Sequence, residues 1–306
     1  MIRATILGTG GYLPTESRGL SSAYLKVEGT NILMDCGEGT QLACTTAGVK
    51  LYEISIICLT HRHADHVLGL PGVLTSIDQI VKVNGAPKKL VVIIAPRSCK
   101  YVCTNLINAA NIHNISVKIL YVSGEKQVFN FGKFKIKAFR LEHTVECYGY
   151  CVQEVMRPHL NKETADKSGL PEESWKFLQT GHKLCVDKTE FGIEAITDGD
   201  ASRGITVAYA TDTDSCPGLH KVLEQADLAI VEGMYYNKDR LPKTFQPKHL
   251  TYEDAAYAAS SAGVKKMILT HFNPMMKDPA NGLRYATDIF SNTVCGVPGM
   301  SLEVHH

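Results

Sequence analysis

The sequence predicts an α/β protein built from two mixed sheets with helices outside them. Three observations predict it. The apolar runs are short and strand-like, and helical patterns follow many of them. Strands come consecutively early in the chain and alternate with helices late. Finally, two strands share one ending. Ile56-Ile57-Cys58-Leu59-Thr60-His61 is echoed by Lys266-Met267-Ile268-Leu269-Thr270-His271. Each delivers a histidine at its carboxyl end, where sheets that carry helices tend to bind ligands.

Strands are expected at Thr5–Leu7, Ala23–Val27, Ile32–Asp35, Ile54–Leu59, Leu90–Ala95, Val117–Tyr121, Val128–Phe131, Phe134–Leu141 and Tyr148–Glu154. Later ones are expected at Thr206–Thr211, Leu228–Glu232 and Lys266–Leu269. Helices are expected at Gly39–Ala47, Val67–Val83, Arg97–Ala110, Leu219–Gln225, Tyr252–Ala262 and Gly282–Asn292. Thr251 can cap the fifth of these, and Glu253-Asp254 suit its positive end. Residues 157–204 differ in composition, with the only Trp and many polar residues, and read as an inserted arm or surface loop. Val304-His305-His306 reads as a tail.

The chain has 306 residues, 44% apolar and 21% charged, enough for a core without staples and too apolar for wholesale disorder. Its formal charge is +1, so no global field steers a partner, and a nucleic-acid role requires a local basic patch. No stretch reaches the roughly 18 apolar residues of a membrane-spanning helix. The start lacks the apolar core of a secretory signal, so a cytoplasmic protein with reduced thiols is expected. Cys36, Cys58, Cys151 and Cys185 sit among apolar residues and are expected to be buried. Cys99/Cys103 and Cys147/Cys151 have a metal-compatible gap, but the first pair falls on a helix and the second on a strand, as core thiols do.

Twelve histidines against one tryptophan is the unusual figure. His61-Arg62-His63-Ala64-Asp65-His66 places four potential metal ligands in six positions straight after a strand. An irregular segment there can converge side chains on one point, and imidazole with carboxylate suits zinc. Asp65 and His66 are adjacent, so they point away from His61 and His63, which favours two metals over one. Further ligands are expected at strand ends: His143, Asp212 and His271.

These residues resemble the ribonuclease Z branch of the metallo-β-lactamase superfamily, over roughly 1–156 and 205–306. Leu7-Gly8-Thr9-Gly10 with Pro14, Arg18 and Ser21-Ser22 is similar to that branch. So are Asp35-Cys36-Gly37-Glu38-Gly39-Thr40-Gln41 and Gly69-Leu70-Pro71-Gly72. The resemblance implies one hydrolase domain over 1–306, a four-layer αβ/βα sandwich with a short arm. It implies two zinc ions per chain, with manganese or iron also accepted. His61, His63 and His143 would hold one, Asp65, His66 and His271 the other, and Asp212 would bridge them. Water acidified between the ions would attack a phosphodiester, with Asp65 also able to take its proton. Glu232 and His249 would act together as proton donor to the leaving oxygen, and Thr251 would contact a phosphate. The partner implied is precursor tRNA, cut at its 3′ trailer, by a homodimer in which one arm could serve the partner's site.

Two departures stand out. Val231-Glu232-Gly233-Met234 replaces the branch's usual His-Glu-Ala-Thr, and Gly169-Leu170-Pro171-Glu172-Glu173-Ser174 stands where a Gly-Pro-rich tRNA exosite is common. Residues 157–204 hold seven Lys or Arg against nine Asp or Glu, whereas a phosphate-binding arm should be basic. A small-molecule phosphodiesterase on the same scaffold is therefore the alternative, and a non-catalytic nucleic-acid binder the reading from another class. Phosphate contacts are expected from Lys243, Lys248, Lys265 and Lys266.

Overall fold

The computed structural model describes residues 1–156, 160–197, 204–237 and 248–305. Arg157, Asp198, Asp200, Arg203, Lys243 and His306 lie outside the described residues. The chain divides into two compact units, Met1–Gln153 with Ile205–His306, and Glu154–Gly204.

The larger unit holds two seven-stranded sheets. The first comprises β1 (Ile2–Gly8), β2 (Ser22–Val27), β3 (Thr30–Met34), β4 (Ile54–Cys58), β5 (Lys89–Pro96), β6 (Ile115–Val122) and β16 (Ser301–Val304), in the order β16-β1-β2-β3-β4-β5-β6. The second comprises β7 (Lys126–Asn130), β8 (Phe134–Leu141), β9 (Cys147–Glu154), β12 (Thr206–Ala210), β13 (Leu228–Glu232), β14 (Met267–Thr270) and β15 (Thr293–Cys295), in the order β15-β14-β13-β12-β9-β8-β7. Strand periodicity sorts the side chains. Val207 and Tyr209 face the core between the sheets, and Ala208 and Ala210 face the helices. Ile56 and Cys58 likewise face inward, and Ile57 outward.

Helices α1 (Thr40–Thr46), α3 (Leu70–Val83) and α4 (Lys100–Ala110) cover the first sheet. Helices α7 (Pro217–Leu223), α8 (Tyr252–Ser261) and α9 (Arg284–Thr287) cover the second. Ala229 on β13 and Ala255, Ala256 and Ala259 on α8 are all fully buried, so small side chains bring helix and sheet together. The result is the expected four-layer sandwich. From β12 to β15 the strands run parallel, so their carboxyl ends open on one edge.

Several expectations are corrected. The helix expected at Val67–Val83 is two: α2 (Ala64–Val67), then α3. Pro71 at the start of α3 has no N–H to continue the ladder, and Gly69 lies between the two helices where a Cβ would come 2.0 Å from the Gly37 carbonyl oxygen. The helix expected at Gly282–Asn292 shrinks to α9, since the chain then enters β15 beside β14. Val304 is not a tail residue but pairs with Ile2 in the first sheet. Cys185 is exposed, not buried.

The smaller unit is not a bare loop. It holds α5 (Lys162–Lys167), α6 (Glu172–Gln179) and a hairpin of β10 (Leu184–Val186) and β11 (Thr189–Phe191). Ala165, Leu170, Trp175, Leu178 and Ile196 form its own core, and the Trp175 indole N–H donates to the Leu170 carbonyl at 3.1 Å.

Candidate metal centre

The two echoing strands meet here. β4 and β14 belong to different sheets; β4 ends three positions before His61 and β14 one position before His271. Asp212 follows β12 and His143 follows β8. The Asp65–His66 pair comes from the short helix α2. Backbone geometry turns the chain sharply at several of these strand ends. Asp35, Asp212 and His271 have φ of 55°, 56° and 54°, a left-handed conformation that Asp and His tolerate better than bulkier residues.

Three groups of ligand-type side chains result, two of them joined by Asp212 and a third made of Glu232, His249 and His271. His61, His63, His143 and Asp212 present atoms within 4.8 Å of one another, and so do Asp65, His66, Asp212 and His271. Asp212 belongs to both, as a bridging ligand would. In the first group His61 Nε2 lies 2.9 Å from His63 Nδ1, and His143 Nε2 lies 3.3 Å from the same atom. In the second, His66 Nε2 and His271 Nε2 each lie 3.1 Å from Asp212 Oδ1. Asp65 Oδ2 stands 3.3 and 3.5 Å from those same two nitrogens.

The donor set fits two cations. His66 Nε2, His271 Nε2 and Asp212 Oδ1 are buried with no hydrogen-bond partner among the described residues. Orphaned polar atoms facing one another at this depth are costly unless a cation sits among them. The electrostatics separate the two groups. Burial, with neighbouring rings adding to it, pushes His61 well below the ordinary histidine value, and burial also lowers His63 and His143. Neutral imidazole is the ligand form. Around His66 and His271 burial acts the same way but is outweighed by carboxylates. Asp212, Asp35 and Asp65 raise His66, and Asp212, Asp65 and Glu232 push His271 up to about 10. The second group therefore carries the larger excess of negative charge.

The ligands are held by partners that sequence reasoning missed. Asp35, wholly buried, takes His66 Nδ1 at 2.8 Å, the Thr60 N–H at 2.8 Å and the Tyr209 hydroxyl at 3.1 Å. This fixes the His66 tautomer and leaves Nε2 free to ligate. The Lys248 carbonyl lies 3.1 Å from His143 Nδ1 and Thr60 Oγ1 3.0 Å from His61 Nδ1. Asp35 carried a visible signal, an acidic residue closing a strand inside a motif, whereas a backbone carbonyl of residue 248 carries none.

Glu232 and His249 are brought together. Glu232 is fully buried, accepts the Thr213 N–H at 2.5 Å and lies 2.8 Å from His249 Nδ1. Burial opposes charge on both, but each favours the other's ionised form, raising His249 and lowering Glu232. At Gly233 the altered frame has a packing cause. The Tyr252 ring lies against Gly233, where a Cβ would come within 2.8 Å of it.

Other expectations are redirected. Thr251 is buried, and its hydroxyl donates to Asp254 Oδ2 at 2.8 Å and accepts the Asp254 N–H at 3.1 Å. This capping box leaves it no free donor for a phosphate. Lys265 and Lys266 precede β14 and so lie at the end opposite His271; Lys265 pairs with Asp227 at 2.8 Å. Lys248 does stand beside the ligands, paired with Asp214 at 3.5 Å and Glu142 at 3.8 Å. Cys99, Cys103, Cys147 and Cys151 are buried and belong to none of the ligand groups.

The comparisons accord with this geometry. Residues 2–156 match the family model of the Anti-Pycsar protein Apyc1, and residues 195–272 that of the β-lactamase superfamily domain. A ribonuclease Z of Agathobacter rectalis is 35% identical over 304 residues, covering 99% of this chain and 98% of its own. One from Lachnoclostridium phytofermentans is 33% identical over the same shares. The chain belongs to the ribonuclease Z family. The full-length match decides this, since the Apyc1 model stops before β12, β13 and β14. Among solved structures, the short form of human tRNase Z superposes with a TM-score of 0.68 at 22% identity, covering 99% of this chain and 100% of that one. That likeness confirms the metallo-β-lactamase fold of this ribonuclease Z family member. No helix among its described residues is long and apolar enough to cross a membrane.

Proposed function

We propose that this chain is a zinc-dependent endoribonuclease that removes the 3′ trailer from precursor tRNA. The observation that carries the reading is the junction of two ligand groups through Asp212 with the Glu232–His249 pair at 2.8 Å beside them. His61, His63 and His143 would hold one ion, Asp65, His66 and His271 the other, with Asp212 between. When bound, the ions acidify the attacking water and stabilise charge on the phosphoryl oxygens. Asp65 faces this space with an oxygen able to take the water's proton. Glu232 lies 2.8 Å from His249 Nδ1 and favours the charged imidazole, so Nε2 would be the donor to the leaving oxygen. The full-length ribonuclease Z relatives favour this reading over a small-molecule phosphodiesterase. The burial of seven of the ten cysteines supports a reducing, cytoplasmic setting.

We also propose that the chain is one catalytic domain with 157–204 inserted as a reduced tRNA arm, acting as a homodimer; sedimentation tests the dimer. Incubation with precursor tRNA and zinc or manganese should give one cut after the discriminator base. No cut across a range of salt would sink the reading. His249→Ala should lose about 10²–10⁴ in rate with both metals retained. Asp65→Ala should lose metal and activity together. Metal loss in His249→Ala would refute the donor role.

A further inference from the structure

We propose that the cavity beside His143 is a phosphate subsite that seats a second backbone phosphate of the RNA, with Lys221 as its unshared cation. The inference rests on the ribonuclease reading above. The cavity holds about 400 Å³ and is lined by Glu125, Arg140, Glu142, His143, Lys221 and Lys248, among others. His143 joins it directly to the first ligand group. One wall is the start of α7, pressed against β8; a Cβ on Gly218 would lie 1.8 Å from the Arg140 carbonyl oxygen.

The cations of this cavity differ in their commitments. Arg140 pairs with Glu146 at 3.1 Å and lies over the Tyr148 ring. Lys248 is shared between Glu142 and Asp214. Lys221 is exposed, and no carboxylate among the described residues stands within 4.0 Å of it. Glu142 is likewise committed to Lys248, and Glu125 is the lining carboxylate in no ion pair among the described residues, so an entering phosphate would approach from the Lys221 side.

The need for such a site follows from charge. The whole chain is +1, and residues 157–204 carry more acidic than basic groups. RNA affinity rests on phosphate contacts, so a chain without a global field must concentrate them locally. A cavity touching a metal-ligand histidine places such a contact beside the phosphate to be cut.

The test uses the full chain with zinc, precursor tRNA and salt varied from about 50 to about 300 mM. Each phosphate contact contributes a slope of about 0.7–0.9 in log affinity against log salt, or roughly five- to eightfold between 1 M and 0.1 M. Lys221→Gln should therefore raise KM about five- to eightfold near 0.1 M salt, flatten the salt slope by about 0.7–0.9, and change kcat less than about twofold. Lys221→Glu should raise KM further. Lys118→Gln, an exposed change on β6, should alter neither quantity, and melting curves check that each variant is folded. An unchanged slope in Lys221→Gln overturns the proposal, as does a fall in kcat with KM unchanged. Should the wild type leave precursor tRNA uncut, the ribonuclease reading fails separately. The salt slope of RNA binding, read by fluorescence anisotropy, then still supports the subsite if Lys221→Gln flattens it, and overturns it if not.

Discussion

Replacing Asp35 by Asn tests whether the second ligand group depends on its buried support. Asp35 Oδ1 accepts the Thr60 N–H at 2.8 Å, while Oδ2 faces His66 Nδ1 at 2.8 Å and the Tyr209 hydroxyl at 3.1 Å. Asn keeps one acceptor oxygen and turns the other into a donor. With the oxygen toward Thr60, the amide NH₂ faces His66 Nδ1, and the ring is driven to carry its proton on Nε2, the atom meant for metal. With the oxygen toward His66, the NH₂ faces a backbone N–H that cannot rotate away. Either way a buried donor loses its partner, worth about 1–3 kcal/mol. Loss of such an outer partner costs about 10–100-fold in metal affinity. At roughly 2–4 °C per kcal/mol, melting should fall by about 2–12 °C. Chelator competition reads the affinity, metal analysis the ions per chain, and a thermal melt the stability. Two ions bound with affinity within about twofold of wild type, and an unshifted melt, would refute the reasoning.

Two further outcomes follow from packing and charge. Gly69→Ala must displace the Gly37 carbonyl, so it should cost about 1–3 kcal/mol and reduce metal content together, read by melting and metal analysis. Asp78 is buried and accepts the N–H groups of His113, Asn114 and Ile115, which with Asn114's side chain outweigh desolvation and lower its pKa. Its folded value lies below the unfolded one, so its stabilisation is present above about pH 4 and fades as pH falls through the folded value. Asp78→Ala should cost about 2–4 kcal/mol at pH 7. The gap between the wild-type and variant melts should narrow below about pH 4, and a gap constant down to pH 3 would contradict this.

Much of the site was legible because metal binding demands particular side chains. His61, His63, Asp65 and His66 announce themselves by density, and His143, Asp212 and His271 by their places after strands. The sheets were legible because the alternation along β8 and the unbroken apolar run of β13 are both local. What the sequence left open involves contacts between distant segments. Asp35 stands 31 positions from the His66 it orients, and Lys248 lends His143 only a carbonyl, which no side chain reports. Lys265 and Lys266 read as near the motifs, yet β14 carries them to the far end. Residues 157–204 read only as an inserted arm or loop, without elements of their own, because their small core is assembled from scattered residues between Ala165 and Ile196.

The sequence by itself brought out the candidate ligands and the two-sheet class, since both depend on residue type and short spacing, and its resemblance to the ribonuclease Z branch pointed to Glu232 and His249. Only the tertiary structure decided which ligands share Asp212, which carboxylate sets the His66 tautomer and which lysine remains unbalanced beside the centre. Those are questions of distance between strand ends in two sheets, and a chain specifies such distances only when its core is packed.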